Sequence, residues 1–236
     1  MRGKREIRNP MVRGGGKGVN IPPEKQERVL DAAIEEFSQK GYARASMNAV
    51  VERAGISKGA LFNYFGSKSG LFAFVYKMAL ERIKGYLKAV REQSKGEPFF
   101  SRLEKVMWAG VIFIRNNSGL ARIYHHILFT GDSPYKASIL EELQRESMDF
   151  LEGLIVDGIE GGDLRPDLDP RACSFMIQCV IDRFLQAHNL EFVGNPLGLY
   201  QAQEEISRAW IQKILDVLRK GMAWEGMVAS GSKDGL

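Results

Sequence analysis

The side chains that most often carry chemistry are few in this chain and poorly spaced for it. His125 and His126 are adjacent, so on a helix their rings point about 100° apart and do not chelate one ion together. Cys173 and Cys179, six residues apart, fall on different helix faces. No CxxC or HExxH spacing occurs, no glycine-rich phosphate loop follows a strand, and no GxSxG elbow is present. No metal site, no cofactor and no enzymatic activity are therefore expected. A different chemistry sits in Ala54 to Phe72, AGISKGALFNYFGSKSGLF. Here two very short apolar-patterned segments are set between glycines, with Ser57, Lys58, Asn63 and Tyr64 left outside. Asn pairs with an adenine edge, and Lys reaches guanine or phosphate.

Such residues work only if short helices present them. Pro22-Pro23 opens a first helix over about Glu24 to Lys40, with Leu30, Ala33, Ile34 and Phe37 on one face and Gly41 as its stop. Ser46 caps a second segment with Met47, Val50, Val51 and Ala54 at i, i+3, i+4, i+7, and Gly55 supplies a left-handed exit. Ser57 caps a third, in which Leu61 and Phe65 face inward. Lys58, Gly59, Phe62 and Asn63 are then left on the outer side, with Tyr64 at the edge. A short helix, a glycine turn and a second short helix make a helix-turn-helix, whose second helix enters the DNA major groove. The capped starts at Ser46, Ser57 and Ser67 add amide donors for phosphate oxygens. A helical hairpin that merely packs is the competing reading.

The rest of the chain also reads helical. A long helix from Ser67 carries a stripe at Phe72, Val75, Ala79, Ile83, Tyr86 and Val90. Further helices are expected around Leu103–Ile114, Leu120–Leu128, Tyr135–Ile159, Arg171–Phe192 and Ala202–Lys220. No β-branched run alternates over strand length, so the fold class is all-α. At 236 residues and 44% hydrophobic the chain has ample core. No apolar run reaches the ~18 residues needed to span a bilayer, and two cysteines without a signal peptide suggest a cytoplasmic protein with reduced thiols. Residues 1–20 hold six Lys/Arg against one acid. This excess fits either a polyanion partner or a plain basic tail. The expected layout is a flexible arm (1–21), a three-helix DNA-binding domain (22–72), an effector-binding and dimerisation domain (73–221) and a flexible tail (222–236), with Trp224 a candidate docked residue.

Residues 41–72, GYARASMNAVVERAGISKGALFNYFGSKSGLF, resemble the DNA-binding domain of the tetracycline-repressor (TetR) family, most specifically from Gly55 through Tyr64-Phe65 to Lys68 and Leu71. The loop GDLRPDLDP is similar to one that precedes this family's dimerising helices. The resemblance implies an N-terminal helix-turn-helix joined by a long helix to a helical ligand-binding bundle. It also implies a homodimeric regulator, a repressor, on a palindromic double-stranded operator. It places Ser46, Ser57, Lys58, Gly59, Phe62, Asn63, Tyr64 and Lys68 at DNA. Tyr64 and Lys68 would grip phosphate, and Lys58, Gly59 and Asn63 would read bases. Phe62 stands where many relatives have tyrosine and Ala45 where threonine is frequent, so a phosphate hydrogen bond is lost at Phe62. The resemblance also implies an effector pocket, with Trp108, Phe113, Tyr124 and His125 as candidate lining for an apolar small molecule. A regulator without effector, its aromatic residues serving as core only, is the alternative. Asp182-Arg183, inside an apolar segment, reads as either an interface pair or a polar anchor.

Overall fold

The computed structural model describes residues 21–130 and 133–223. The basic arm and Trp224 with the tail lie outside the described residues. Ten α-helices occur among them: α1 (Pro23–Arg44), α2 (Met47–Ala54), α3 (Lys58–Phe65), α4 (Lys68–Gln93), α5 (Phe99–Asn116), α6 (Ser118–Thr130), α7 (Lys136–Glu160), α8 (Pro170–Asn189), α9 (Glu191–Gly194) and α10 (Glu204–Met222). Extended pairing among the described residues is limited to one isolated bridge, Leu164 with Ala223. None of the described helices is long and apolar enough to cross a membrane.

The helices form two compact units. The first runs to Arg82 and takes in Ser118–Glu142, extending past residue 72 and recruiting α6 from later in the chain. Its core grows from the stripe of α1, where Val29, Leu30, Ala33 and Phe37 are buried, and from Val50, Leu61, Phe65, Phe72 and Val75. Phe37 meets Phe72 edge-on at 5.1 Å. α1 is interrupted at Gly41, whose φ of 69° and ψ of 173° break the helix and aim the chain at α2. On its other side α1 receives α6. A Cβ on Gly119 would lie 2.6 Å from Ile34 Cγ2, so the two backbones approach as only glycine permits. The His126 ring covers Gly41, and its Nε2 lies 3.2 Å from the Ser38 carbonyl. Ala121 is buried in the same unit. Nearby, the buried Tyr76 hydroxyl donates to the Ile139 carbonyl at 3.2 Å.

The second unit comprises Ile83–Asn117 and the chain from Leu143 onward. Phe99, Leu103, Met107, Val111, Ile155, Ile177, Phe184, Ile211 and Leu215 fill its core. The loop after α7 closes it: Asp163 Oδ2 accepts from the Phe99 amide at 2.8 Å and so caps α5, while Asp169 Oδ1 caps α8 through Ala172 at 2.7 Å. Two expectations need correcting here. Tyr86, expected on the buried stripe of α4, is 37% exposed, its ring edge resting on Phe113 at 5.5 Å. The single helix expected over Arg171–Phe192 is two, because the chain folds back over the end of α8. There Gln201 N donates to the His188 carbonyl, and Gly194 sits so close to the Ala187 carbonyl and Tyr200 that a side chain would not fit.

Candidate nucleic-acid interface

α2 and α3 are eight residues each, too short to persist without caps and neighbours. Both ends are built. Ser46 Oγ accepts from the Ala49 amide at 3.4 Å, and Ser57 Oγ from the Ala60 amide at 3.1 Å. Gly55 leaves α2 in the left-handed region (φ 63°, ψ 41°), and the Gly55 and Ile56 amides return to the Glu52 and Val51 carbonyls. The turn is thus fixed by hydrogen bonds rather than by contacts alone.

A buried carboxylate anchors the pair. Glu36 of α1 has no exposed surface, and its Oε1 accepts from the Ser46 amide at 2.8 Å and pairs with Lys40 Nζ at 2.9 Å. Arg53 Nη1 approaches its other oxygen at 3.7 Å, with Arg53 Nε 3.4 Å from Glu35. Burial alone would raise the Glu36 pKa. The Ser46 amide, Lys40 and Arg53 outweigh it and hold the carboxyl below its ordinary value. Sequence reasoning passed over Glu36, although it continues Val29, Ala32 and Ala33 at i+7, i+4 and i+3. An acid on the apolar face was the signal.

α3 buries only Leu61 and Phe65. Lys58, Gly59 and Asn63 are exposed, Phe62 is 38% exposed, and Tyr64 is half-buried with its ring 6.2 Å from that of Phe65. Apart from the adjoining residues and the helix's own backbone, no described atom lies within 4 Å of where a Gly59 side chain would be, so the helix backbone is open to close approach. Ser46 and Ser57 stand at the two helix starts. Lys68 is differently placed: its Nζ donates to the Ala43 carbonyl at 2.8 Å and lies 5.0 Å from the Tyr42 ring centroid.

The four expected effector residues divide between the units. Tyr124 and His125 belong to the first, where burial, and then His126, hold the His125 imidazole below its ordinary pKa. Trp108 and Phe113 belong to the second. The Trp108 ring is covered by the Arg208 guanidinium at 3.8 Å, with Arg115 at 5.8 Å. A cleft of about 630 Å³ in the second unit is lined by Arg91, Lys95, Glu97, Arg102, Asp157 and Asp163 among others, and by none of the four. Asp182 is raised in pKa by burial, opposed by a hydrogen bond from Gln178, while Arg183 is exposed and bonds Gln186. Cys173 is buried and Cys179 exposed. Among the described residues no group of three His, Cys, Asp or Glu could hold a metal ion.

A capped helix-turn-helix that shows a polar, partly open face on an all-helical body defines a DNA-binding regulator. Comparisons with known proteins agree. Residues 29–75 match the model for bacterial regulatory proteins of the tetR family, and residues 98–223 match that of the tetracyclin repressor-like C-terminal domain. The fatty acid metabolism regulator protein of Bacillus subtilis is 23% identical over 164 residues, covering 67% of this chain and 80% of that one. A TetR family regulator from Chloroflexus aurantiacus superposes with a TM-score of 0.64 at 27% identity, covering 87% and 96% of the two chains. FadR of Bacillus subtilis in complex with stearoyl-CoA gives 0.66 at 20% identity, covering 83% and 98%. The chain belongs to the TetR family and is a DNA-binding transcriptional regulator.

Proposed function

We propose that this regulator is a repressor that binds a palindromic operator as a homodimer and releases it when a largely apolar small molecule occupies its C-terminal helices. The observation that carries the DNA half is the outer face of α3. Lys58, Gly59, Phe62 and Asn63 are all solvent-exposed on a helix whose inward side is closed by Leu61 and Phe65. Lys58 and Asn63 read base edges, Gly59 lets the backbone approach, and Phe62 offers an apolar surface to sugar or a thymine methyl. Ser46, Ser57 and Tyr64 flank this face toward the phosphates.

One such helix makes too few base contacts for tight specific binding, and two-fold pairs about 34–36 Å apart are the usual solution. Exposed apolar side chains on α8 and α10 support that pairing: Phe175 and Met176 on the first, Ile206 and Val217 on the second. The effector half draws on the solved relative bound to stearoyl-CoA, which favours a long acyl chain as the kind of apolar guest. A coupling of about 1–3 kcal/mol would weaken operator binding roughly 5- to 150-fold.

Selection from a random DNA pool should return a palindrome. Asn63→Ala should then cost about 1–3 kcal/mol of discrimination at one position of each half-site. Val217→Asp should convert the dimer to monomer in sedimentation. Long-chain acyl compounds should both raise the thermal midpoint and weaken operator binding. A selected pool without a shared sequence would refute the DNA reading. Full operator binding with no stabilising apolar ligand would favour a regulator without effector.

A further inference from the structure

We infer that the cleft of the second unit is a binding site for a small polar anion, a carboxylate or phosphate compound, gripped by Arg91 and Lys95 beside the largely buried guanidinium of Arg102. None of the four residues expected to hold an apolar effector lines this cleft, and the site stands or falls independently of the reading of α3.

The cleft measures about 630 Å³, which is the size of a small-molecule site, but charged side chains rather than apolar ones dominate its walls. It is walled by the end of α4 and the turn after it, the first turn of α5, and the end of α7 with the loop that follows. The turn after α4 is firmly built. Ser94 is buried, its Oγ donates to the Val90 carbonyl at 2.7 Å, and its own carbonyl accepts from the Glu97 amide at 3.1 Å. Gly96 turns the chain there with a φ of 82°. Lys95 therefore leaves from a fixed point, four residues after Arg91.

Which charge the cleft lacks follows from how its own charges are paired. Asp157 Oδ2 accepts from Arg102 Nη1 at 3.0 Å, and Asp163 Oδ2 accepts from the Phe99 amide at 2.8 Å. Glu97 pairs with Lys105 and accepts from Ser101 Oγ at 2.7 Å, and these two bonds hold its carboxyl below its ordinary pKa. Arg91 and Lys95 are exposed and have no hydrogen bond or ion pair to any described residue. Against these two cations the lining holds one acid in the same condition, Glu92. Arg102 adds a donor that the fold leaves unused: its side chain is 12% exposed, and its buried Nε has no acceptor among the described residues. A buried donor without a partner is unfavourable, and native proteins satisfy nearly all such groups. An anion in this cleft would meet three cations from two sides and bring acceptor oxygens to the guanidinium that lines it. An apolar guest would instead strip water from these charges without replacing it. Glu92 favours an anion that also carries a hydroxyl or ammonium donor.

The test titrates the full chain with inorganic phosphate and, separately, with citrate, by calorimetry at constant ionic strength in a chloride background. At least one probe should bind saturably, one per chain, and raise the thermal midpoint; which of the two binds tells phosphate from carboxylate recognition. Arg91→Gln and Lys95→Gln should each weaken that binding roughly tenfold or more while leaving the midpoint of the unliganded protein unchanged. Glu92→Gln should tighten it, because the variant removes the free acid from the lining. Saturable binding that both Arg91→Gln and Lys95→Gln leave at wild-type strength would put the anion elsewhere and overturn the site. A chain that binds neither probe, or responds to chloride as it does to them, would overturn it as well.

Discussion

Replacing Glu36 by alanine should loosen α2 from α1 at a cost of about 3 kcal/mol. The figure follows from the contacts. Truncation removes a charge-assisted bond to the Ser46 amide at 2.8 Å and leaves that amide without its acceptor, together about 1.5–3 kcal/mol. Lys40 and Arg53 are 47% and 37% exposed, so their ion pairs add only about 0–1 kcal/mol each. Glu36→Gln keeps an acceptor for Ser46 and should cost about 1 kcal/mol. Because the folded-state pKa is depressed, the stabilisation is fully present above the ordinary value of 4.5 and is lost as pH falls through the folded value. Glu36→Gln should lack that acid-dependent loss. Urea unfolding at pH 7 and pH 4, with hydrogen exchange on the α2 amides to localise the effect, measures both. A Glu36→Ala protein within about 0.5 kcal/mol of wild type, with α2 protection intact, would refute the anchor.

Gly119→Ala should destabilise the first unit by about 1–3 kcal/mol in denaturant titration, because its Cβ would meet a β-branched methyl at 2.6 Å. Gly59→Ala should do the reverse, stabilising by up to about 1 kcal/mol in the same titration while weakening operator binding, since α3 gains a helix former but loses its open backbone. His188 is buried, with Nδ1 3.0 Å from the Phe184 carbonyl and Nε2 3.0 Å from Ser207 Oγ. Burial, with Arg115 adding to it and the Phe184 carbonyl opposing, holds its pKa below 6.5. The second unit should therefore lose stability as pH falls below about 6.5, and thermal melts of His188→Gln across pH 5–8 should show a flatter profile.

What the sequence made legible was local. Ser46 and Ser57 caps, the Gly55 exit and the inward pair Leu61 and Phe65 are all decided within four residues, and these features placed the helix-turn-helix. The family resemblance carried the candidate contact set, and the structure leaves Lys58, Gly59, Phe62 and Asn63 together on the open face of α3. Illegible were contacts whose partners are far along the chain. Gly119 against Ile34, Lys68 on the Ala43 carbonyl and Arg208 over Trp108 join residues 25 to 100 positions apart. Periodicity carries no information about which face of one helix meets which face of another. Composition likewise identified Trp108 as aromatic and left unstated that an arginine would occupy its ring.

α3 is held by two buried side chains and two ends, and Lys58, Gly59, Phe62 and Asn63 on its outward side are exposed. Substitutions there should shift stability by only about 0.5 kcal/mol, apart from the gain at Gly59. After gene duplication, a copy of this chain could thus change its operator preference one residue at a time without approaching the stability threshold that purges most mutations. Lineages diverging at Lys58, Phe62 and Asn63 would keep the same fold while acquiring separate sets of target promoters.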